Sequence, residues 1–175
     1  LLARGPRHRL AAEMIRDHAL AASGLLVERI GGPPVFTYDL PESFKPAPAG
    51  KGEDLHRRSL YTFWRRNGPA PVLEAFDTPK RVVCVVRRDT TNSPLHALVL
   101  LNGKQFVEAS RVLAERLLRE YSGDREAMLE AAFARLTGRA PDAAERRIVA
   151  RLHDEQRAWF NRHPGDADCH LEIGD

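Results

Sequence analysis

The chain has 175 residues, 43% of them hydrophobic, with 27 Lys and Arg against 24 Asp and Glu. That length and apolar content suffice for one domain with a buried core and exclude wholesale disorder. The longest strongly apolar stretches, such as Leu95 to Leu101, fall far short of the ~20 residues that a membrane-crossing helix needs, so no membrane span is expected. The basic excess is uneven: residues 1–92 carry 15 Lys and Arg against 10 Asp and Glu, the remainder 12 against 14. Such asymmetry permits a weak preference for acidic partners but is also what a solvated helical surface carries. The opening residues lack both a methionine and the layout of a signal peptide, so the chain is expected to be a piece of a longer protein. Cys84 and Cys169 are too few for a disulfide scaffold; two free thiols or one long-range disulfide both remain open.

In chain order, residues 6–29 predict a helix. Proline is allowed in its first turn, and Leu10, Met14, His18, Ala21 and Leu25 recur at helical spacing. His18, on that apolar side, is expected to be buried and hydrogen-bonded rather than to ligate a metal, because no second ligand stands four residues on. Gly31-Gly32-Pro33-Pro34 ends the helix. Residues 30–54 read as a long irregular loop, pinned by Phe36, Tyr38 and Phe44, with Lys45 to Gly52 as a mobile linker.

Residues 55–92 form an arginine and aromatic segment. Leu60, Phe63 and Trp64 fit a helix face while Leu60, Thr62 and Trp64 fit a strand, and periodicity does not choose. Asn67-Gly68-Pro69 ends that element, and Pro71 to Phe76 predicts one helical turn. Val82 to Val86 is strand-like in composition but has no convincing partner, so it is expected to lie extended on helices with at most one short strand pair. Cys84 within it is expected to be buried and inert.

Residues 93–162 predict a four-helix C-terminal part. Ser93 caps a helix with Pro94 at its first position, running to Leu101 and stopped by Asn102-Gly103. Because nearly every residue of it is apolar, this helix is expected to be the buried hub of the domain. Gln105 to Tyr121 follows, with Phe106, Ala109, Leu113 and Leu117 inward and ion pairs from Glu108 to Arg111 and from Glu115 to Arg119. Asp124 caps a third helix, with Met128, Leu129, Ala132, Phe133 and Leu136 inward and Gly138 as its stop. Asp142 and Glu145 make a capping pair for a fourth, which runs to Arg162 with Ile148, Val149, Leu152, Trp159 and Phe160 as its apolar residues. The last residues read as frayed. The pattern is that of an all-α, single-domain helical bundle with a long irregular loop.

Motifs for covalent haem, zinc peptidases, serine hydrolases and glycine-rich phosphate loops are absent from the sequence, and its seven histidines are scattered. No metal site is expected. Arg57, Arg58, Arg65 and Arg66 interleave with Tyr61 and Trp64, as in surfaces that stack sugars or bases, although burial of the aromatics with solvated arginines is the commoner outcome. Arg87, Arg88, Asp89, Thr90, Thr91 and Asn92 precede a helix N-terminus, where free N–H groups bind anions. The alternative is plain capping with Arg87 or Arg88 in an ion pair to Asp77 or Glu74. The candidate binding residues are therefore Arg57, Arg58, Tyr61, Trp64, Arg65, Arg87, Arg88, Thr91 and Asn92. A glycosidase would need two of the acids Glu53, Asp54, Glu74, Asp77 and Asp89 facing each other across a cleft.

The stretches RGPRHRLAAEMIRDHALAASGLL, RRSLYTFWRR and FDTPKRVVCVVRRDTTNSPLHALVLLNGKQFVEASR, in that order, resemble the planctomycete-type PSD-one domain, a domain of unknown function. Arg57, Arg58, Tyr61, Trp64, Asp77, Pro79, Arg81, Cys84, Arg87, Arg88, Thr91, Asn92, Pro94, Leu95 and Asn102 fall on the family pattern. His56 stands where tyrosine is usual, Val82-Val83 where Arg-Glu is usual, and Asp89-Thr90 where Glu-Arg is usual. The resemblance covers nearly the whole chain. It implies an extracytoplasmic, multidomain setting with haem c on other domains, no cofactor in this chain, and neighbouring domains as partners. It implies no reaction. The reading is a non-catalytic structural or interaction module, with a carbohydrate-active domain that binds or processes sulfated polysaccharide as the alternative. An anionic glycan is the second partner class, and the absence of any nucleic-acid motif argues against nucleic acid.

Overall fold

In a computed structural model the structure describes residues 9–39, 46–65, 69–80 and 82–174. The described residues are mostly helical and contain no strand, only two isolated parallel bridges, Val27 with Arg57 and Val35 with Thr62. No helix among them is long and apolar enough to cross a membrane. The chain gathers into two compact units, Leu1–Asp17 with Val27–Gly103 and His18–Leu26 with Lys104–Asp175. Helix α1, Ala12–Ser23, contributes its first half to the first unit and its second half to the other.

The first unit holds the start of α1, two 3-10 turns at Gly52–His56 and Ser59–Tyr61, helix α2 at Pro71–Ala75 and helix α3 at Pro94–Asn102. Much of it is irregular backbone, so its polar groups need long-range partners. The N–H of Val27 donates to the His56 carbonyl (3.1 Å), that of Val35 to Tyr61 (2.8 Å), and that of Phe63 back to Val35 (2.7 Å). Residues 55–63 are thereby laid beside 27 and 35 as short 3-10 turns and isolated bridges, not as the regular helix or strand that periodicity offered. Asp39 serves α2 from a distance, its carboxylate accepting the Val72 N–H at 2.7 Å.

The second unit is regular. Helix α4, Lys104–Glu120, buries Phe106, Ala109, Leu113 and Leu117, the four residues its period assigned inward. Helix α5, Arg125–Thr137, starts where the Asp124 carboxylate accepts the Ala127 N–H and stops at Gly138, whose φ of 73° suits a residue without a Cβ. Helix α6, Ala143–Arg162, carries the reciprocal Asp142 and Glu145 capping box. The Arg139 hydrogen bond, helped by the Asp142 N–H, holds the Glu145 carboxyl down to about 2. The end of α1 belongs here too. Gly24, at φ +82°, ends that helix, and the Arg116 guanidinium donates to the Ser23 carbonyl at 2.8 Å. A Cβ at Gly24 would meet Arg116 Nη1 at 1.9 Å, so a substitution would push that guanidinium aside, and the left-handed φ favours glycine.

Several expectations are corrected. Among the described residues α1 begins at Ala12 rather than in the 6–8 stretch, which lies outside them. Its buried face is Ala12, Arg16, Leu20 and Ser23, while Leu10, Met14, His18 and Ala21 are exposed. The apolar spacing misled because a buried arginine sits on the true inward face. His18 is not buried; its Nε2 lies 3.0 Å from the Leu136 carbonyl. Val82 to Val86 rest on no core, and all are exposed. Cys84 is exposed and free, as is Cys169. Helix α3 is not a buried hub: Leu95, Leu98, Leu100 and Leu101 are all exposed. On α5 and α6, Leu136, Ile148, Leu152 and Trp159 also face outward. Residues Pro164–Leu171 form a further helix, α7, opened by a proline at its first position rather than frayed. In place of the expected pairing of Glu108 with Arg111, Arg111 pairs with Glu115 at 2.9 Å, and Glu108 is buried. The aromatic Phe44 and the Asn67-Gly68 stop lie outside the described residues.

Candidate functional site

The arginine and aromatic segment is organised from α1. Arg16 is 1% exposed, and its guanidinium donates to the Leu55 carbonyl (2.7 Å), the Arg57 carbonyl (2.7 Å) and the Ser59 hydroxyl (3.1 Å). Asp17, the next residue, accepts the Ser59 N–H at 2.7 Å. Burial pushes the Arg16 guanidinium down to about 10, against the opposing attraction of Asp17 and Asp39. It stays charged at neutral pH. A planar fork that satisfies three acceptors at once is a task for arginine and not for lysine.

Arg57 is fully buried. Its guanidinium donates to the carbonyls of Arg29, Gly31 and Pro33 and lies 4.0 Å from the centre of the Tyr61 ring. Tyr61 returns the favour to the same loop, its hydroxyl accepting the Gly31 N–H at 2.9 Å. Arg57 and Tyr61 together therefore hold the glycine and proline turn after α1. Arg58 points out, half exposed, with Glu28 at 3.5 Å. Arg65 sits 5.4 Å over the Phe63 ring and donates to the Pro46 carbonyl at 3.4 Å, and Phe63 in turn stacks on Phe36 with centroids 4.7 Å apart. Trp64 is half-buried. Arg66 lies outside the described residues.

The second group of candidates is anchored by Asp77. This residue has φ 59°, a left-handed conformation that aspartate tolerates better than most side chains. Its carboxylate accepts the Thr91 N–H at 2.7 Å and the Thr91 hydroxyl at 2.9 Å, and pairs with Arg9. Partial burial would raise the Asp77 carboxyl, but the two Thr91 hydrogen bonds, Arg9 and His96 outweigh it and hold it below the usual carboxylate range. Arg88 pairs with Glu13 at 2.8 Å rather than with Asp77 or Glu74, because Arg9 occupies Asp77 and Lys80 lies 3.2 Å from Glu74. Arg87 and Asn92 are exposed. The start of α3 is closed by His96, whose Nδ1 accepts the Ser93 N–H at 3.4 Å and whose ring packs 5.1 Å from that of Phe76. A histidine thus takes the place of the usual glutamate in the capping box.

Both groups attach to α1, one through Arg16 and Asp17 and the other through Glu13. Of the acids named for a glycosidase, Glu53 and Asp54 face Arg29, Glu74 faces Lys80, Asp77 is bound by Arg9 and Thr91, and Asp89 is exposed. No group of His, Cys, Asp and Glu among the described residues is arranged to hold a metal. Sequence reasoning missed Arg16 and Arg9. The signal for Arg16 was its place between Ala12 and Leu20 at four-residue spacing, on a face that is otherwise small and apolar.

The match to known families spans residues 1–153, so it takes in both arginine groups, Asp77 and α3. The chain belongs to the PSD1 family, proteins of unknown function (DUF1553). No curated protein and no solved structure matches it. The residues within that family match do two kinds of work here. Arg57, Tyr61, Asp77 and Thr91 tie irregular backbone together, whereas Pro94 and Leu95 open a helix whose leucines face outward.

Proposed function

We propose that this chain is a non-catalytic interaction module of a larger protein, and that α3 is the face on which a neighbouring domain docks. The observation that carries this is the exposure of α3. A helix of leucine, valine and alanine that is apolar all round belongs inside a protein, yet only His96 of α3 is buried, while Leu95, Leu98, Leu100 and Leu101 are exposed. Exposed apolar surface on this scale marks interaction sites. In the same reading the larger protein is extracytoplasmic and carries its haem on other domains, with no cofactor assigned to this one. The test is chemical access. In a Cys84→Ser, Cys169→Ser background, Leu98→Cys should react rapidly with a maleimide in this chain alone and slowly in the longer protein. Equal rates in the two would end the docking reading.

A second reading, binding of an anionic glycan, draws on the Arg65, Phe63 and Phe36 stack. It uses the outward residues Arg58, Arg65 and Arg87, with Trp64 as a flanking aromatic. Heparin retention that falls steeply with salt and drops in Arg65→Ala supports it; retention unchanged by Arg65→Ala removes it.

A further inference from the structure

The segment between Asp77 and Thr91 is a loop closed at its neck. The Asp77 carboxylate holds both the N–H and the hydroxyl of Thr91, so the two ends meet as in an Ω-type loop, a form often used for binding. Every described residue from Val82 to Thr90 is exposed. Val83 is 73% exposed and Val86 106%, with Val82 and Val85 near half. Cations stand on both sides of this aliphatic tip: Lys80 before it, 69% exposed at the side chain, and Arg87 and Arg88 after it, Arg88 49% exposed. The Lys80 pair with Glu74 is exposed at both ends, and such pairs are weak and exchange readily for other anions, whereas Arg88 is held at 2.8 Å by the half-buried Glu13.

We infer that this loop docks on an anionic lipid surface, the valines entering the acyl boundary and Lys80, Arg87 and Arg88 meeting the headgroup phosphates. Two features favour lipid over a protein partner. The tip is four valines around Cys84, and from Val82 to Val86 no side chain offers a strong hydrogen-bonding group to fix the orientation of a partner. The cations sit behind the apolar residues in sequence on both sides, the order that a headgroup layer above an acyl layer requires. The neck lowers the entropic cost of insertion, because Asp77 and Thr91 have already closed the loop.

The probe is a polarity-sensitive fluorophore on Cys84 in a Cys169→Ser chain. It is presented to vesicles of phosphatidylcholine alone and of phosphatidylcholine with phosphatidylglycerol, alongside co-sedimentation of the unlabelled chain. A blue shift and pelleting on the anionic vesicles are expected, both weakened as salt rises from about 0.1 to 1 M. Arg87→Ser should lower partitioning about fivefold. Val83→Asp with Val86→Asp should abolish it while leaving the thermal midpoint unchanged, since both residues are outside the core. No shift on either vesicle, equal binding to both, or binding that survives the double valine variant overturns the proposal. A blue shift that grows with protein concentration without vesicles also overturns it and makes a second copy the occupant.

Discussion

The two units reach order by different routes. In the second unit the buried residues on α1 and α4 are Leu20, Phe106, Ala109, Leu113 and Leu117 with Ser23, Gln105 and Glu108, and α5 and α6 bury no residue at all. The helices α5 and α6 are specified locally, by period and by caps whose partners are two or three residues away, while Arg116 ties α4 to the end of α1. In the first unit Ala12, Val35, Leu55, Leu73 and Phe76 are buried beside Arg16, Thr37, His56, Arg57, Ser59, Thr62, Thr78 and His96, and the bonds that order it join residues far apart, 39 positions for Arg16 to Leu55 and 68 for Arg9 to Asp77. Where regular helix pairs the backbone with itself, side chains are free to be apolar. Where the backbone is irregular, buried guanidinium groups must take up the carbonyls, and polar groups enter the interior beside the apolar ones.

The strongest way to break this contrast is Arg16→Ala. It leaves the carbonyls of Leu55 and Arg57 and the Ser59 hydroxyl buried without their donor and opens a cavity, a loss of about 3 kcal/mol or more. Arg16→Lys should recover little of it, because an ammonium cannot span the three acceptors. Each unit contains one tryptophan, Trp64 in the first and Trp159 in the second. Urea unfolding followed through Trp64 in a Trp159→Phe chain should show the loss. If the midpoint seen through Trp64 does not move, the arginine network does not order the first unit.

Asp77 sharpens the comparison through pH. Its carboxyl is lowered in the fold, so the unfolded chain takes up the proton more readily, and the stability it contributes is present above about pH 4 and lost as pH falls through its folded value. Asp77→Asn keeps the shape and tolerates the left-handed backbone but removes the charge facing Arg9. That variant should be less stable at neutral pH by about 1–2 kcal/mol and should lose less stability than the parent on going to pH 3. An unaltered acid dependence would mean that other carboxylates govern it.

These differences also explain what was legible in the sequence. The all-α class and the inward face of α4 were readable, as were the Asp124, Asp142 and Ser93 starts and the Gly138 stop, because helical period and caps are short-range signals. The inward face of α1 was not. Leu10 and Met14 are apolar but exposed, and the position between Ala12 and Leu20 belongs to an arginine whose partners lie 39 to 43 residues on. The separate roles of neighbouring arginines were hidden for the same reason: Arg57 faces carbonyls of a glycine and proline turn, while Arg58, next to it, faces Glu28 half exposed. The exposure of α3 and of Val82 to Val86 contradicts composition outright, because composition carries no information about which apolar residues the fold buries.

In the locally specified unit a single cap should have a small, contained effect. Asp142→Ala removes the acceptor for the Ala144 and Glu145 N–H groups, both at 2.8 Å, and frees Glu145 from its half of the capping box. The expected cost is about 1 kcal/mol, read through Trp159 in a Trp64→Phe chain, with the transition seen through Trp64 unchanged. A shift of both transitions together would show that the two units unfold as one.

The smallest effect is expected where composition alone predicts the largest. Leu98 lies in the most apolar helix of the chain, and if that helix were the core, Leu98→Asp would bury an unpaired charge at a cost of several kcal/mol. The side chain is instead 58% exposed, on the side of α3 away from His96, the residue that packs against Phe76. An aspartate there stays hydrated, and substitutions at such surface positions usually stay within about 0.5 kcal/mol. Leu98→Asp should therefore leave the unfolding midpoint of this chain nearly unchanged and, on the docking reading proposed above, weaken contact with a neighbouring domain. A midpoint that collapses would return α3 to the core. A midpoint that holds, together with lost protection of the helix in the longer protein, separates a residue kept apolar for folding from one kept apolar for docking.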